Sequence, residues 1–238
     1  MRLNDPALVR DEYASEDRLA ARAAVYEQAE GPDARDRLLE LLRVARPTRL
    51  LEVGCGWGEL AERIAFEVDC KVVAVDLSPR MVELTRERGV DATLADVQDL
   101  PFEDGEFDCA IAAWMLYHVP DLDRGLAELA RVLRAGGRLF AITNSERHLR
   151  ELWEFVDGYV DHHVGFSAEN GAQALERHFV HVERYDVTPT VVFADRSAAH
   201  NYIASSVTRS HLADRLPPFE GPLRATRATA VFVAEKAP

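Results

Sequence analysis

The stretch Leu50-Leu-Glu-Val-Gly-Cys-Gly-Trp-Gly58 decides the fold of this chain. Residues 49–53 are typical of a short buried strand, and the apolar residues of segment 59–68 recur at helical spacing. The three alternate glycines therefore lie in the turn between a strand and a helix. Because glycine has no Cβ atom, it adopts positive φ angles easily and lets a ligand approach the main chain closely.

A second apolar strand, Lys71-Val-Val-Ala-Val-Asp76, ends on a carboxylate. Open parallel sheets bind ligands at the carboxyl ends of their strands, so Asp76 is expected beside the glycine turn. An ionised carboxylate at that point can accept hydrogen bonds from both hydroxyl groups of a ribose. The glycine turn and the acid together predict an adenosine-binding α/β domain.

The spacing of the glycines separates two kinds of nucleotide ligand. Dinucleotide sites favour G-x-G-x-x-G, in which a pyrophosphate rests on a helix N-terminus, whereas this loop reads G-x-G-x-G. Glu52 lies just before the loop, where its negative charge would repel a phosphate and attract an ammonium or sulfonium group. S-adenosylmethionine (SAM) has both cations, a ribose and no phosphate. The loop therefore favours SAM over NAD; a glycine turn that serves chain geometry alone is the alternative.

Further motifs follow the glycine loop in a fixed order. They are Val75-Asp76-Leu-Ser-Pro79, Ala95-Asp96-Val-Gln-Asp-Leu-Pro101, Phe107-Asp108, Tyr117-His-Val-Pro120 and Arg131-Val-Leu-Arg-Ala-Gly-Gly-Arg-Leu139. With this series the chain resembles the class I SAM-dependent methyltransferases, close to the subfamily that includes the ubiquinone/menaquinone-biosynthesis methyltransferases and many small-molecule methyltransferases. The resemblance covers roughly residues 45–145.

The resemblance implies an α/β, Rossmann-like class I methyltransferase fold. In this fold a mostly parallel seven-stranded sheet has helices on both faces and a C-terminal antiparallel hairpin. The sequence pattern places strands at 49–53, 71–76, 90–95, 107–113 and 138–143, hairpin strands at 178–187 and 226–234, and helices at 34–45, 59–68, 80–88 and 122–133. A further helix, with Ser15 as its N-cap, has Leu19, Ala23 and Tyr26 on one face.

The whole chain, 1–238, is expected to form a single SAM-dependent methyltransferase domain. Within it we expect an N-terminal helical cap at 1–46, a cofactor-binding core at 47–144, and substrate-cap segments at 145–168 and 188–225. The two cap segments follow strands on the side where ligands bind, so they are expected to roof the site.

Composition narrows the class of acceptor. The net charge of −13 disfavours the phosphate contacts that dominate nucleic-acid affinity, so a small molecule is favoured over RNA. No stretch has the length of a membrane span or the pattern of a signal peptide, which predicts a cytoplasmic protein without membrane partners, a monomer or homodimer. Cys55, Cys70 and Cys109 lack CxxC spacing and are expected to be buried free thiols.

The resemblance carries cofactor contacts to particular residues. The main chain of the loop, at Gly54, Cys55, Gly56 and Gly58, would contact the methionine and ribose portions. Glu52 would reach the amino group and Asp76 the ribose, while other groups would surround the adenine and the sulfonium. These are Leu77 and Met81 packed on adenine, Asp96 at its amino group with Val97 beside it, and Trp114 near the sulfonium.

Several of these residues have a simpler structural alternative. Asp96 and Asp99 can cap the turn before Leu100, and Met81 and Trp114 can be core residues.

The methionine carboxylate needs a partner on the N-terminal helix. In related enzymes a Tyr and an Arg from this region serve, which makes Tyr13 and Arg22 the candidates, with Arg18 as an alternative. Solvated helix charges are the simpler explanation of the same residues.

Methyl transfer is an in-line displacement at an electrophilic methyl group, so a catalytic base is optional. His118 is the candidate catalytic residue because histidine has the most suitable pKa, with structural hydrogen bonding as the alternative role. Polar residues aimed at the acceptor are Asn144, His148, Tyr159 and His163. The adjacent pair at 162–163 does not favour a metal site, since helix neighbours face apart, and no metal is expected. S-adenosylhomocysteine would be the product, and a SAM-binding protein without transfer activity or an RNA methyltransferase is the alternative function.

Overall fold

The computed structural model describes residues 4–5, 8–9, 11, 13, 17–159, 164–206 and 208–238. Its strands, in chain order, are β1 Arg49–Val53, β2 Lys71–Asp76, β3 Asp91–Leu94, β4 Phe107–Ala113, β5 Leu133–Asn144, β6 Val180–Val187, β7 Thr190–Phe193, β8 Leu223–Thr226 and β9 Thr229–Glu235. Its α-helices are α1 Asp17–Glu27, α2 Ala34–Ala45, α3 Glu59–Glu67, α4 Pro79–Glu87, α5 Leu122–Val132, α6 Arg150–Trp153, α7 Gly171–Leu175 and α8 Arg196–Ala204. Short 3₁₀ turns lie at Leu116–His118 and Ser210–Arg215.

Seven strands form the central sheet in the order β3-β2-β1-β4-β5-β9-β6. The pairs among β1 to β5 are parallel, while β9 runs antiparallel to both β5 and β6. The fold class predicted from the sequence is therefore confirmed, including the C-terminal antiparallel hairpin. The carboxyl ends of β1, β2, β4 and β5 meet at one edge, which is where a site is expected.

The sheet is buried because its strands read as nearly continuous apolar runs, as parallel strands do when helices cover both faces. One apolar cluster includes α5 residues Leu126 and Leu129, and a second includes α2 residues Leu38 and Leu42, all fully buried. Helix starts follow their sequence signals. The Ser78 side chain caps α4, and Pro79 stands at its first position, where no N–H is needed.

A smaller unit lies outside the central sheet. Strands β7 and β8 pair antiparallel as a separate two-stranded sheet. Together with α6, α8 and the second 3₁₀ turn they enclose a third apolar cluster that includes Trp153, Phe193 and Tyr202. This unit is called the cap below. The division of the chain into core and cap segments at the boundaries given above stays a prediction.

Two element boundaries differ from the sequence prediction by more than two residues. Strand β5 begins at Leu133 rather than 138, because a bridge from Phe107 to Leu133 precedes a register shift around the turn at Gly136. The hairpin strand predicted at 226–234 begins later, as β9 at Thr229, since Thr226 ends the separate strand β8 and Arg227 N–H donates to the Pro189 carbonyl. The Ser15 cap lies outside the described residues. Within the described part of the chain, no helix is long and apolar enough to cross a membrane.

Candidate active site

A cavity of about 420 Å³ opens at the carboxyl edge of the sheet, beneath the cap. The glycine loop after β1, the end of β2 and the segments after β3, β4 and β5 line its core side. Helix α1 and the cap line the other side. The sequence placed ligand binding at this edge, and the cavity lies there.

The glycine loop needs its glycines for different reasons. Gly54, Gly56 and Gly58 all have φ between 54° and 81°, in the left-handed region that favours glycine. A Cβ atom on Gly54 would lie 2.8 Å from the Met115 side chain, and one on Gly58 would lie 2.8 Å from Thr85 Cα. A Cβ atom on Gly56 would lie 3.6 Å from Leu19 Cδ2, an ordinary van der Waals distance, so it would meet no clash.

Gly58 and Met81 lie beside the cavity rather than in its wall. Gly54, Cys55 and Gly56 line the cavity, but Gly58 does not, because its α-carbon faces helix α4. The Met81 side chain is fully buried and also absent from the cavity wall. Both residues pack the core beside the cavity, and their assignment to the cofactor stays a prediction.

Asp76 is held at the end of β2 by backbone donors. Gly56 N–H donates to its Oδ2 and Ser78 N–H to its Oδ1, each at 2.9 Å. Loss of hydration raises the pKa of Asp76, and the N–H groups of Ser78, Gly56 and Leu77 oppose the rise. Each carboxylate oxygen keeps a further lone pair for a ligand in the cavity.

Glu52 is a buried acid without a complete set of partners. It is 2% exposed, and its Oε2 atom has no hydrogen-bond partner among the described residues. Burial, reinforced by the charge of Asp76, raises the pKa of Glu52 to about 8. The side chain lines the cavity, so a group that enters it can supply the missing partner.

The segment after β3 forms the far end of the core side. Asp96 caps its own turn, since Gln98 N–H donates to its Oδ1 at 2.9 Å, and it also lines the cavity with Val97. Leu77, at the end of β2, lines the same region and is 51% exposed. An apolar surface next to an acid is compatible with an adenine and its amino group.

Trp114 follows β4 in an unusual conformation. Its φ is 52°, which is rare for a bulky residue and is found preferentially at functional sites. Its N–H donates to the Ile142 carbonyl at 2.7 Å, and its Nε1–H donates to Asn144 Oδ1 at 3.2 Å. These bonds hold the indole in the cavity wall and connect two residues that the sequence assigned separately.

His118 lies between the N-terminal segment and the loop after β4. Its Nε2 atom is 3.0 Å from the Tyr13 hydroxyl, and the two rings meet edge to face. The Tyr13 carbonyl in turn accepts a hydrogen bond from Ser78 Oγ at 2.9 Å. Both predicted residues line the cavity, and Tyr13 is linked through Ser78 to the Asp76 carboxylate.

His148, Tyr26 and Tyr202 form a chain of side-chain hydrogen bonds across the roof. The Tyr26 hydroxyl is 3.1 Å from His148 Nε2 and 2.5 Å from the Tyr202 hydroxyl, and His148 Nδ1 is 3.4 Å from the Ala228 carbonyl. Loss of hydration, with the Arg227 cation, lowers the pKa of His148 to about 3, so this histidine is neutral.

Neutrality of His148 fixes the direction of that chain. Since the Ala228 carbonyl is an acceptor, Nδ1 carries the proton and Nε2 must accept from Tyr26. Burial also raises the pKa of Tyr26 well above its usual range, so the single Tyr26 proton is kept and is used there. The Tyr202 hydroxyl therefore donates to Tyr26, which leaves the lone pairs of its oxygen available to accept, and Tyr202 is among the residues that line the cavity.

Three arginines border the cap side of the cavity. Arg22 donates to the Ser205 carbonyl at 3.0 Å, so helix α1 is tied to the cap. The Arg227 guanidinium lies 4.2 Å from the Tyr26 ring centroid and 5.2 Å from that of Trp114. Arg209 lies 4.8 Å from the Trp153 ring centroid. Two of these cations, Arg227 and Arg209, thus lie close to aromatic rings on the cap side of the cavity.

The predicted residues fall into three groups. Those that line the cavity are Tyr13, Arg22, Glu52, Gly54, Cys55, Gly56, Asp76, Leu77, Asp96, Val97, Trp114, His118, Asn144, His148 and Tyr159. Gly58 and Met81 do not, and His163 lies outside the described residues. Their roles as ligands of SAM or of an acceptor stay predictions.

Sequence reasoning missed several cavity residues, among them Trp57, Tyr202, Arg209 and Arg227. Trp57 stands inside the glycine loop, so its position was a usable signal. The other three lie in the cap region, which has no motif, and only the folded chain brings them to the core.

Elsewhere in the cavity wall the Cys55 thiol is buried, and burial raises its pKa, which keeps it protonated.

Comparison with known proteins agrees with this geometry. Residues 51–141 match the family model described as a methyltransferase domain. The 27-O-demethylrifamycin SV methyltransferase of Amycolatopsis mediterranei is 38% identical over 112 residues, 44% of this chain and 41% of that protein. The ubiquinone biosynthesis O-methyltransferase of Xanthomonas oryzae pv. oryzae is 37% identical over 142 residues, 53% of this chain and 59% of that protein.

Among solved structures, phosphoethanolamine N-methyltransferase 2 of Haemonchus contortus in complex with SAM has a TM-score of 0.66 and 14% identity. The structural match covers 100% of this chain and 60% of the Haemonchus contortus chain. This likeness shows the fold. The chain spans about two fifths to three fifths of the length of the curated relatives described above.

Proposed function

We propose that this chain, which carries the domain of the class I SAM-dependent methyltransferases, transfers a methyl group from SAM to a small-molecule acceptor. The observation that carries the proposal is one cavity with two chemically different sides. Its core side has the glycine loop and two acids suited to an adenosine and an ammonium group. Its cap side is aromatic and cationic, and it is suited to a second, different molecule.

The core side fits the parts of SAM one by one. Asp76 has lone pairs available for ribose hydroxyls, and Gly56 lines the cavity without a side chain, so a ligand can approach its main chain. Glu52 Oε2 needs a donor, which the amino group of the methionine portion would supply. Leu77 and Asp96 supply an apolar surface and an acceptor for the adenine.

Bound SAM supplies a methyl group that is already strongly electrophilic. The protein's task is to align the acceptor with it and to exclude water. Trp114 is held in the cavity wall by its bond to Asn144, where its ring can stabilise a cation. The cap encloses the other side, and Arg22 connects α1 to the cap by donating to the Ser205 carbonyl.

The acceptor's proton has two candidate partners in the cavity wall. Tyr202 lines the cavity and its hydroxyl oxygen has lone pairs available to accept, so it can receive an O–H or N–H group of the acceptor and turn the nucleophile's lone pair toward the methyl. His118 is engaged with Tyr13, and through Ser78 this pair supports Asp76. We therefore assign orientation of the nucleophile to Tyr202 and a structural role to His118.

Two relatives guide the choice of acceptors. Their names specify methylation at oxygen, the 27-O position of a rifamycin precursor in one and an O-methyltransferase of ubiquinone biosynthesis in the other. Hydroxylated small molecules therefore stand first in an acceptor screen, with amines and carbon acids after them. A cytoplasmic, monomeric or dimeric enzyme that uses no metal remains part of the proposal.

The test has two stages. Calorimetric titration with SAM and with NAD comes first, and we expect SAM alone to bind. Incubation with SAM and the acceptor panel follows, with mass spectrometry scanning for the gain of one methyl group and for S-adenosylhomocysteine. SAM binding without turnover on any acceptor would favour a binding protein of the same fold, and NAD binding would overturn the proposal.

Asp76 gives this test a specific variant. Asp76→Ala removes two charge-assisted hydrogen bonds to the ribose that water replaces only in part, so we expect a loss of about 2 to 4 kcal/mol. This corresponds to roughly 30- to 1000-fold weaker SAM affinity. Asp91→Ala, an exposed acid at the opposite end of the neighbouring strand, is the control. Equal SAM affinity in both folded variants would exclude the ribose assignment.

A further inference from the structure

Two buried hydrogen-bond donors on the cap side lack a partner. Trp153 is 4% exposed and Arg227 is 5% exposed, yet Trp153 Nε1 and Arg227 Nε have no hydrogen-bond partner among the described residues. Both side chains line the cavity. Buried donors in folded proteins are almost always paired, so a molecule in the cavity is expected to supply an acceptor oxygen here.

A third donor stands beside Trp153. The Arg209 guanidinium lies 4.8 Å from the Trp153 ring centroid and 5.9 Å from that of Tyr159, and these two rings are stacked. Among the described residues no carboxylate forms an ion pair with Arg209. Its cation is therefore held at the cavity wall by aromatic rings, with its N–H groups available to an anion.

The charges nearby leave this end of the cavity positive. Among the residues that the structure describes, Arg227 has one acidic partner, Asp33, at 3.5 Å. Glu151 is close in sequence, but it accepts hydrogen bonds from the Thr226 N–H and hydroxyl at 2.9 and 2.7 Å. Glu146 is the acid of this region that lines the cavity. In a chain with a net charge of −13, a cationic wall is a local arrangement.

SAM itself does not satisfy all of these donors. SAM has one carboxylate, for which Arg22 on α1 and Arg227 are both placed. Its sulfonium is a cation. Arg209 and Trp153 lie together in the cap, whereas the groups suited to SAM lie on the core side. A second anion is therefore needed to pair with them.

We propose that the acceptor is a ring-bearing small molecule with a carboxylate, and that Arg209 and Trp153 Nε1 bind this carboxylate. The aromatic walls of the cap take up the ring, and the Tyr202 oxygen faces its nucleophilic group. This inference rests on the proposed function, because it names the acceptor class of the same cavity.

The test uses simple probes in place of the natural acceptor. Benzoate and 2-naphthoate are compared with benzamide and 2-naphthamide, which have the same shape without the charge. Each probe is titrated into the full-length protein by calorimetry, with and without saturating S-adenosylhomocysteine. The three tryptophans, Trp57, Trp114 and Trp153, all line the cavity, so intrinsic fluorescence gives a second readout of occupancy.

We expect the acids to bind at least tenfold more tightly than the matching amides. Arg209→Gln should remove most of this difference and leave amide and S-adenosylhomocysteine affinity unchanged. Trp153→Phe keeps a ring but removes the donor, so it should reduce acid affinity by a smaller factor. Arg147→Gln removes an exposed cap charge outside the cavity and is the matched control.

Two results would overturn the inference: equal affinity of acids and amides in the wild type, or an acid preference that persists in the folded Arg209→Gln protein. Failure of S-adenosylhomocysteine to bind would count against the proposed function instead. The titrations without it still measure the difference between acid and amide.

Discussion

Glu52 shows how a single buried acid can report on the ligand of this cavity. Its pKa is raised to about 8 by burial and by the charge of Asp76, so the ligand-free protein holds it protonated at neutral pH. An ammonium group at Oε2 would favour the ionised form and lower that pKa. Binding and proton release are therefore coupled at this residue.

At pH 6.5 we expect SAM binding to release close to one proton from Glu52. An α-amino group is almost fully protonated at that pH, so it contributes little. Calorimetry in two buffers of different ionisation enthalpy measures the release, and Glu52→Gln should abolish it while weakening affinity. Binding without proton release in the wild type would contradict the assignment of Glu52 to the amino group.

The same residue predicts a pH dependence of stability. The pKa of Glu52 is raised in the folded state, so the free energy of unfolding falls as the pH rises from 4.5, the ordinary pKa of this carboxyl, to about 8. Within that window the slope for Glu52 is about 1.4 kcal/mol per pH unit. Denaturant unfolding of the ligand-free protein at pH 5.5 and 7.5 should show a smaller difference for Glu52→Gln than for the wild type.

Substitution of His118 tests whether this residue has a catalytic or a structural role. A general base contributes about 10²- to 10⁴-fold to the rate, and its removal should leave SAM affinity intact. Because the Tyr13 contact and Ser78 link His118 toward Asp76, we expect His118→Ala to lower the melting temperature and SAM affinity together. Tyr13→Phe, which removes the hydroxyl alone, should produce a weaker form of the same effect. A large isolated loss of kcat with a shifted pH–rate profile would show that His118 is the base.

At the scale of the element, two glycines of one loop are expected to have different roles, Gly56 in ligand binding and Gly58 in folding. Gly56→Ala places a methyl group at φ 54°, 3.6 Å from Leu19 Cδ2, so it strains the loop at the cavity wall without a steric clash. Gly58→Ala places it 2.8 Å from Thr85 Cα. We expect the first variant to lose SAM affinity before stability, and the second to unfold at a lower temperature.

Thermal unfolding and SAM titration of both glycine variants check this expectation. If Gly56→Ala melts like the wild type and binds SAM equally well, the loop does not hold the cofactor. If Gly58→Ala is as stable as the wild type, the contact with α4 is not what requires a glycine there.

The core elements could be predicted because their signals are local. Strand β4 was predicted at its observed bounds from an apolar run, and the Ser78 cap followed from its neighbour Pro79. The break after Thr226 could not be predicted from turn residues, since residues 223–235 contain neither glycine nor proline. Burial of Arg227 against the Tyr26 and Trp114 rings accompanies that break, and those rings come from distant parts of the chain.

The candidate site divides along the same line. Its core side was predicted from motifs, apart from Gly58 and Met81, whose side of the chain faces α4 and the core rather than the cavity. Tyr202 and Arg209 were missed because no short-range pattern marks a cap residue. Their importance follows from partners such as Tyr26 and Trp153, which are 176 residues away in one case.

At the scale of the whole molecule, the cavity lies between a well-packed core and a roof that includes α1. This helix has no fully buried residue, and it is attached to the cap through Arg22 to the Ser205 carbonyl and through Tyr26 to His148 and Tyr202. A helix of 11 residues is marginal without tertiary packing. Occupancy of the cavity should therefore stabilise α1 more than the central strands.

Hydrogen–deuterium exchange measures this difference directly. With saturating S-adenosylhomocysteine we expect exchange in α1 to slow by about tenfold or more, since its apolar face would be covered by the ligand and opening would expose it. The amides of β4 should change little, because their exchange already requires opening of the core. Arg22→Gln, which loses the bond to Ser205, should exchange faster in α1 without ligand and regain part of the protection with it. Protection confined to the glycine loop, with α1 unchanged, would show that the roof does not close on the cofactor.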